Sequence, residues 1–156
     1  MATTIEQIQQ LVQEIGPSMQ EIDAVVQTEE PSWAIQFSDE TIIILEAADD
    51  PSRAVISAEL GMITEAQQRN VYETMLCYNM MWRGSGGVKI GLAGPQGALI
   101  ISRDVCLDNL TLAALQQEIG SFLKITRSWT QFIAQGEQAE LPPLPGMGTA
   151  GMHMQV

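Results

Sequence analysis

The sequence predicts an α+β fold in which helices cover one face of an antiparallel sheet. Three observations carry that prediction: an amphipathic helical stretch at the N-terminus, three strand-like runs in succession over residues 33–60, and two further short runs framed by helical stretches. The predicted order is α-β-β-β-α-β-β-α.

Ile5, Ile8, Leu11, Val12 and Ile15 recur at helical spacing until Gly16-Pro17 stops them, which predicts an opening helix with one apolar face. Trp33 to Phe37 alternates as a half-buried strand. Ser38-Asp39-Glu40 is a turn, and Thr41 to Ala47 contains the β-branched run Ile42-Ile43-Ile44-Leu45, which reads as a strand buried on both faces. Asp49 to Ser52 turns again, and Ala54 to Leu60 completes a meander. Thr64 with Gln67 fits a capping box for a second helix running to about Trp82. Gly84 to Gly87 ends it, and Gly94-Pro95-Gln96-Gly97 joins strands Val88–Ala93 and Ala98–Ser102 as a hairpin. Leu112, Leu115, Ile119, Phe122, Thr126, Trp129 and Ile133 mark one face of a long final helix entered near Asp108. Residues 1–135 form the predicted domain. Residues 136–156 are rich in Pro, Gly and Met without periodicity and read as a disordered tail.

A hydrophobic content of 46% against 17% charged residues provides enough apolar surface for a core, and 156 residues suit one domain. No apolar run approaches the roughly 20 residues that span a bilayer, and Met1 to Gln10 has no base ahead of an apolar core. The expectation is a cytoplasmic protein.

The net charge of −12 is unevenly placed. Eleven Asp and Glu lie from Glu6 to Asp50, with no Lys or Arg before Arg53. Such a field repels phosphate backbones and anionic lipid, so nucleic acid and membrane are not expected partners. It suits either a basic polypeptide or simple solvation.

Catalysis finds little support. The single histidine, His153, is the fourth residue from the C-terminal end, and no His-centred constellation can be assembled. Cys77 and Cys106 are far apart with no nearby Cys or His, which predicts free, buried thiols rather than a metal or redox site. Gly84-Ser85-Gly86-Gly87 follows a helix and precedes a strand, the reverse of a phosphate loop. Asp49-Asp50 and Glu29-Glu30 sit beside proline in turns, where solvation accounts for them. No enzyme activity, cofactor or metal is expected.

From Met75 to Trp82 only Asn79 is clearly polar, so apolar side chains surround that helix end. A helix apolar all round must be covered all round. One sheet covers one side, and the economical cover for the other is a second copy in a two-fold dimer. Cover by the third helix or the tail of the same chain is the alternative.

In order and spacing several segments resemble a class I type III secretion chaperone of the Tir chaperone-like family. They are the helix ending at Ile15-Gly16, Ile42 to Glu46, Ala58-Glu59-Leu60-Gly61, Leu76-Cys77-Tyr78-Asn79, Ile90-Gly91-Leu92, Gly97-Ala98-Leu99, and the closing helix with Phe122 and Trp129. Together they span about residues 5–135. The chain departs from the family at Ala93-Gly94, where members often carry an acid after the strand motif. The resemblance implies a homodimer formed through Tyr78, Met81, Trp82, Val88 and Ile90. It also implies binding of a secreted effector's N-terminal segment in non-globular form, with Ile5, Ile8, Leu11, Val12, Trp33, Ile35 and Phe37 as candidate contacts. A regulatory protein of the same fold, which sequesters a secretion regulator, is the alternative function.

Overall fold

A computed structural model describes residues 4–29 and 31–135; the expected tail and His153 lie outside the described residues. Among the described residues the elements are α1 (Thr4–Ser18), β1 (Ile22–Glu29), β2 (Ser32–Phe37), β3 (Ile42–Asp49), β4 (Ser52–Gly61), α2 (Glu65–Met80), α3 (Trp82–Ser85), β5 (Lys89–Leu92), β6 (Leu99–Cys106) and α4 (Leu112–Ala134). The strands form one antiparallel sheet in the order β1-β2-β3-β4-β6-β5, and the α+β class is as predicted.

The sequence reading misses β1, which precedes the three strands it predicts. In Ile22-Asp23-Ala24-Val25-Val26-Gln27 the apolar residues do not alternate, and the pairing with β2 is irregular near both ends of the strand. Without a clean period of two, an edge strand leaves little trace in sequence. β6 is also longer than predicted. Its inward positions are Leu99, Ile101, Arg103 and Val105, so a buried arginine interrupts an otherwise regular apolar alternation.

Helices cover one face of the sheet. Trp33, Ile35 and Phe37 of β2, Ile43 and Leu45 of β3, Ile56 of β4 and Ile101 of β6 are buried in a core shared with Ile8, Val12 and Ile15 of α1 and Leu115, Ile119, Phe122 and Trp129 of α4. Each such side chain withdrawn from water contributes about 1.5–3 kcal/mol. The opposite face carries the alternate residues, so the expectation for residues 42–45 is corrected: Ile42 is 48% exposed and Ile44 half-buried.

Helix ends follow local chemistry. Gln67 Oε1 accepts from the main-chain N–H of Thr64 at 3.1 Å, while its Nε2 donates to the Ile133 carbonyl of α4 at 2.8 Å. The capping glutamine therefore also ties α2 to α4. Thr111 Oγ1 accepts from the Ala114 N–H at 3.2 Å and starts α4, later than expected because Asn109 holds a left-handed φ of 57° in the preceding turn. Near its far end α2 stops at Met80, and α3 makes one separate turn closed by Gly86 at φ 66°. A Cβ on Gly86 would stand 3.1 Å from Arg103 Nη1, so the guanidinium occupies the space that glycine leaves. Arg103 Nη2 donates to the Glu118 carbonyl at 2.6 Å and pairs with its carboxylate at 2.8 Å. Burial pushes the arginine's pKa down, and the Glu118 charge opposes that shift.

One ion-paired turn gives a pH-dependent prediction. Arg127 Nε donates to Asp39 Oδ2 at 2.7 Å, and this bond with the Thr41 N–H holds the Asp39 carboxyl at about 2, below its ordinary 3.8. The folded state favours the carboxylate, so this contribution is present above the unfolded value of 3.8 and is lost as pH falls towards 2. With 43% and 37% of the two side chains exposed, the loss is less than about 1 kcal/mol. Asp39→Asn is expected to lower stability near neutrality and flatten the acid limb over that window, measured by urea midpoints. An unaltered limb would assign no stabilising role to the pair.

Candidate functional site

A solvent-open groove of about 580 Å³ runs between α1 and the outermost strand. Gln9, Val12, Gln13, Gly16 and Pro17 form its helical wall, and Ile22, Asp23, Ala24, Val25, Gln27 and Trp33 its strand side. Close approach of the two walls depends on Gly16, where a Cβ would meet Val25 Cγ2 at 3.3 Å. Beside this groove β1 is the last strand of the sheet. Among the described residues no side chain bonds the main chain of Ala24–Gln27. Unpaired strand edges with adjacent apolar pockets accept extended chains.

Of the candidate client contacts, Ile8, Leu11, Val12, Trp33, Ile35 and Phe37 are buried in the core, and Ile5 is half-buried. Val12 and Trp33 form part of the groove wall; the other five do not line it. Of the groove's exposed polar residues, Gln9 and Gln13 show in the sequence only as the polar side of the first helix, and Asp23 and Gln27 lie on the strand that the sequence pattern does not reveal.

The second site is the outward face of α2 with the α2–α3 corner. Leu76 is 64%, Met80 79% and Trp82 58% exposed, and Met81 is half-buried beside them. Arg83 stacks over the Trp82 ring at 5.1 Å, one face of an indole otherwise open to water. Tyr78, Val88 and Ile90, the other candidate interface residues, are each buried within the one chain. Tyr78 instead meets Trp129 edge-to-face at 5.2 Å. Cys77 and Cys106 are free as expected but exposed, because Cys77 lies on the outward face of α2 and Cys106 on the sheet face away from the helices.

Among the described residues no group of three or more His, Cys, Asp or Glu could hold a metal ion, and no helix is long and apolar enough to cross a membrane. The geometry presents an α+β module with two separate surfaces: a free strand edge with a groove, and an exposed apolar face on α2. The sequence pattern of the Tir chaperone protein (CesT) family matches residues 8–130, and the chain belongs to that family.

Solved structures agree on the fold. A chain of the HopA1–SchA chaperone–effector complex is similar with a TM-score of 0.64 and 14% identity, covering 84% of this chain and 98% of that one. A chain of the ExsC–ExsE complex has a TM-score of 0.68 at 13% identity, covering 83% and 95%. A chain of the complex of the Yersinia pestis type III secretion chaperone SycH with a stable fragment of YscM2 is similar at a TM-score of 0.58 and 13% identity, covering 81% and 99%. No curated protein matches the sequence.

Proposed function

We propose that this protein is a homodimeric, cytoplasmic type III secretion chaperone that binds the N-terminal segment of a secreted effector in extended form and releases it chemically unchanged. The observation that carries the reading is the free edge of β1 alongside the α1 groove, in a member of the Tir chaperone protein family. Main-chain groups of Ala24–Gln27 supply sequence-tolerant hydrogen bonds, and the groove takes alternate client side chains. Ordering a client segment costs on the order of 2–5 kcal/mol, so contact must extend beyond one strand. A second copy joined through Leu76, Met80, Met81 and Trp82 doubles the available surface. The acidic first third of the chain favours capture of a basic client segment at low salt.

The test is co-expression with the protein encoded beside this gene, followed by limited proteolysis of the co-purified complex. A protected N-terminal client segment is the expected product. Gln13→Trp places an indole from an exposed α1 position into the groove and is expected to weaken client binding at least about tenfold, with thermal stability within about 0.5 kcal/mol of wild type. Full client affinity in that variant would remove the groove from the mechanism. Should the bound chain prove to be a secretion regulator, the same contacts serve the alternative, sequestering role.

A further inference from the structure

The two ends of the sheet are finished differently. At the β5 end, Asn79 of α2 reaches the middle of the edge strand and bonds it at two points. Its Nδ2 donates to the Ile90 carbonyl at 2.9 Å, and the Ile90 N–H donates to its Oδ1 at 2.9 Å. A carboxamide carries the same donor and acceptor as a peptide group, so this side chain occupies the place that a neighbouring strand's main chain would take. β5 has only four residues, Lys89–Leu92, and Ile90 lies within them, so engaging both its main-chain groups removes the centre of a short edge. At the β1 end the main chain of Ala24–Gln27 has no such partner among the described residues. Asn79 is also the one clearly polar residue in the apolar stretch from Met75 to Trp82, and it is half-buried on the sheet side while Leu76 and Met80 face outward.

We propose that Asn79 is an edge stop: it closes β5 to strand pairing, so an extended chain joins this sheet only at β1. A second copy of the protein then meets the first through α2 side chains instead of continuing the sheet across β5. Unguarded edges template pairing between copies, and folds suppress it by covering or charging them. Here a single amide does so from a neighbouring helix. The proposal rests on strand addition at β1 for its functional meaning, but its test uses no client, so failure of the client reading leaves the result interpretable.

The experiment compares the full-length wild type with Asn79→Leu, which keeps side-chain size, favours the helix more than asparagine does, and removes both bonds; Asn79→Ala serves if the leucine variant does not fold. Residue-resolved amide exchange and light-scattering mass are measured over a range of protein concentrations. The expected result has two parts. Exchange at Ile90 rises at least about tenfold, the scale of one lost hydrogen bond, and mass climbs with concentration above that of wild type. Adding Leu92→Lys, a charge on the same strand, is expected to return the mass to the wild-type value. Unchanged exchange at Ile90, a wild-type mass despite faster exchange, or extra assembly that the lysine does not reverse would each overturn the proposal.

Discussion

Trp82→Glu is expected to give a particle of 17.0 kDa, whereas the proposed dimer sets the expected wild-type mass at twice that. The argument begins with exposure: Trp82 is 58% open in the single chain, and Leu76 and Met80 beside it are more so. An apolar patch of this kind, built from Trp, Met and Leu, has the composition of an interface centre. Two-fold symmetry doubles every change made in it, because the same patch serves both copies. Replacing the indole with a carboxylate removes apolar contact and places charge in a desolvated surface. Central aromatic residues typically account for about 2–4 kcal/mol, which raises the dimer Kd about 30- to 1,000-fold. Since the side chain lies outside the core, the circular dichroism spectrum should remain that of the wild type. An unchanged dimer would move the interface elsewhere, with the free face of the sheet around Val26 and Ile42 as the next exposed apolar area.

Trp129→Ala is expected to destabilise the folded chain by about 3–5 kcal/mol, a large part of the total stability of a domain this size. Its indole is fully buried and sits between Tyr78 of α2 and Phe132 of its own helix, both edge-to-face at 5.2 and 5.4 Å. Deleting it opens a cavity at the place where α2 joins the sheet-and-helix core and forfeits the ring contacts as well. Urea titration is the measurement: a lower midpoint at unchanged slope reports lost stability rather than a changed unfolded state. Tyr78→Ala should behave similarly, because Tyr78 is 2% exposed and belongs to the same contact. That outcome separates it from Trp82, whose substitution alters mass and not the midpoint of the chain's own unfolding. If Tyr78→Ala left the midpoint intact and halved the mass, the ring would belong to the interface instead of the core.

The sequence by itself determined the class of fold, the order of the eight strands and helices it named, and the surplus of apolar residues at the end of α2. Those features are periodic or compositional, and period and composition are properties of the chain before it folds. Only the tertiary structure decided which side of each apolar pattern was spent on the core. An amphipathic stripe alone does not separate core from groove: Ile8 and Val12 read more readily as core, Ile35 and Phe37 as client contacts, and the packing of α1 over the sheet buries all four. Tyr78 and Trp82, four residues apart, read alike, yet the break after Met80 turns one towards Trp129 and the other towards water. β1 and the groove beside it depend on a strand whose apolar residues keep no regular period, so they exist for the reader only once β2 has paired with it. The bonds from Asn79 to Ile90 likewise join residues on different elements, and a long-range contact of that kind is set by where α2 comes to rest.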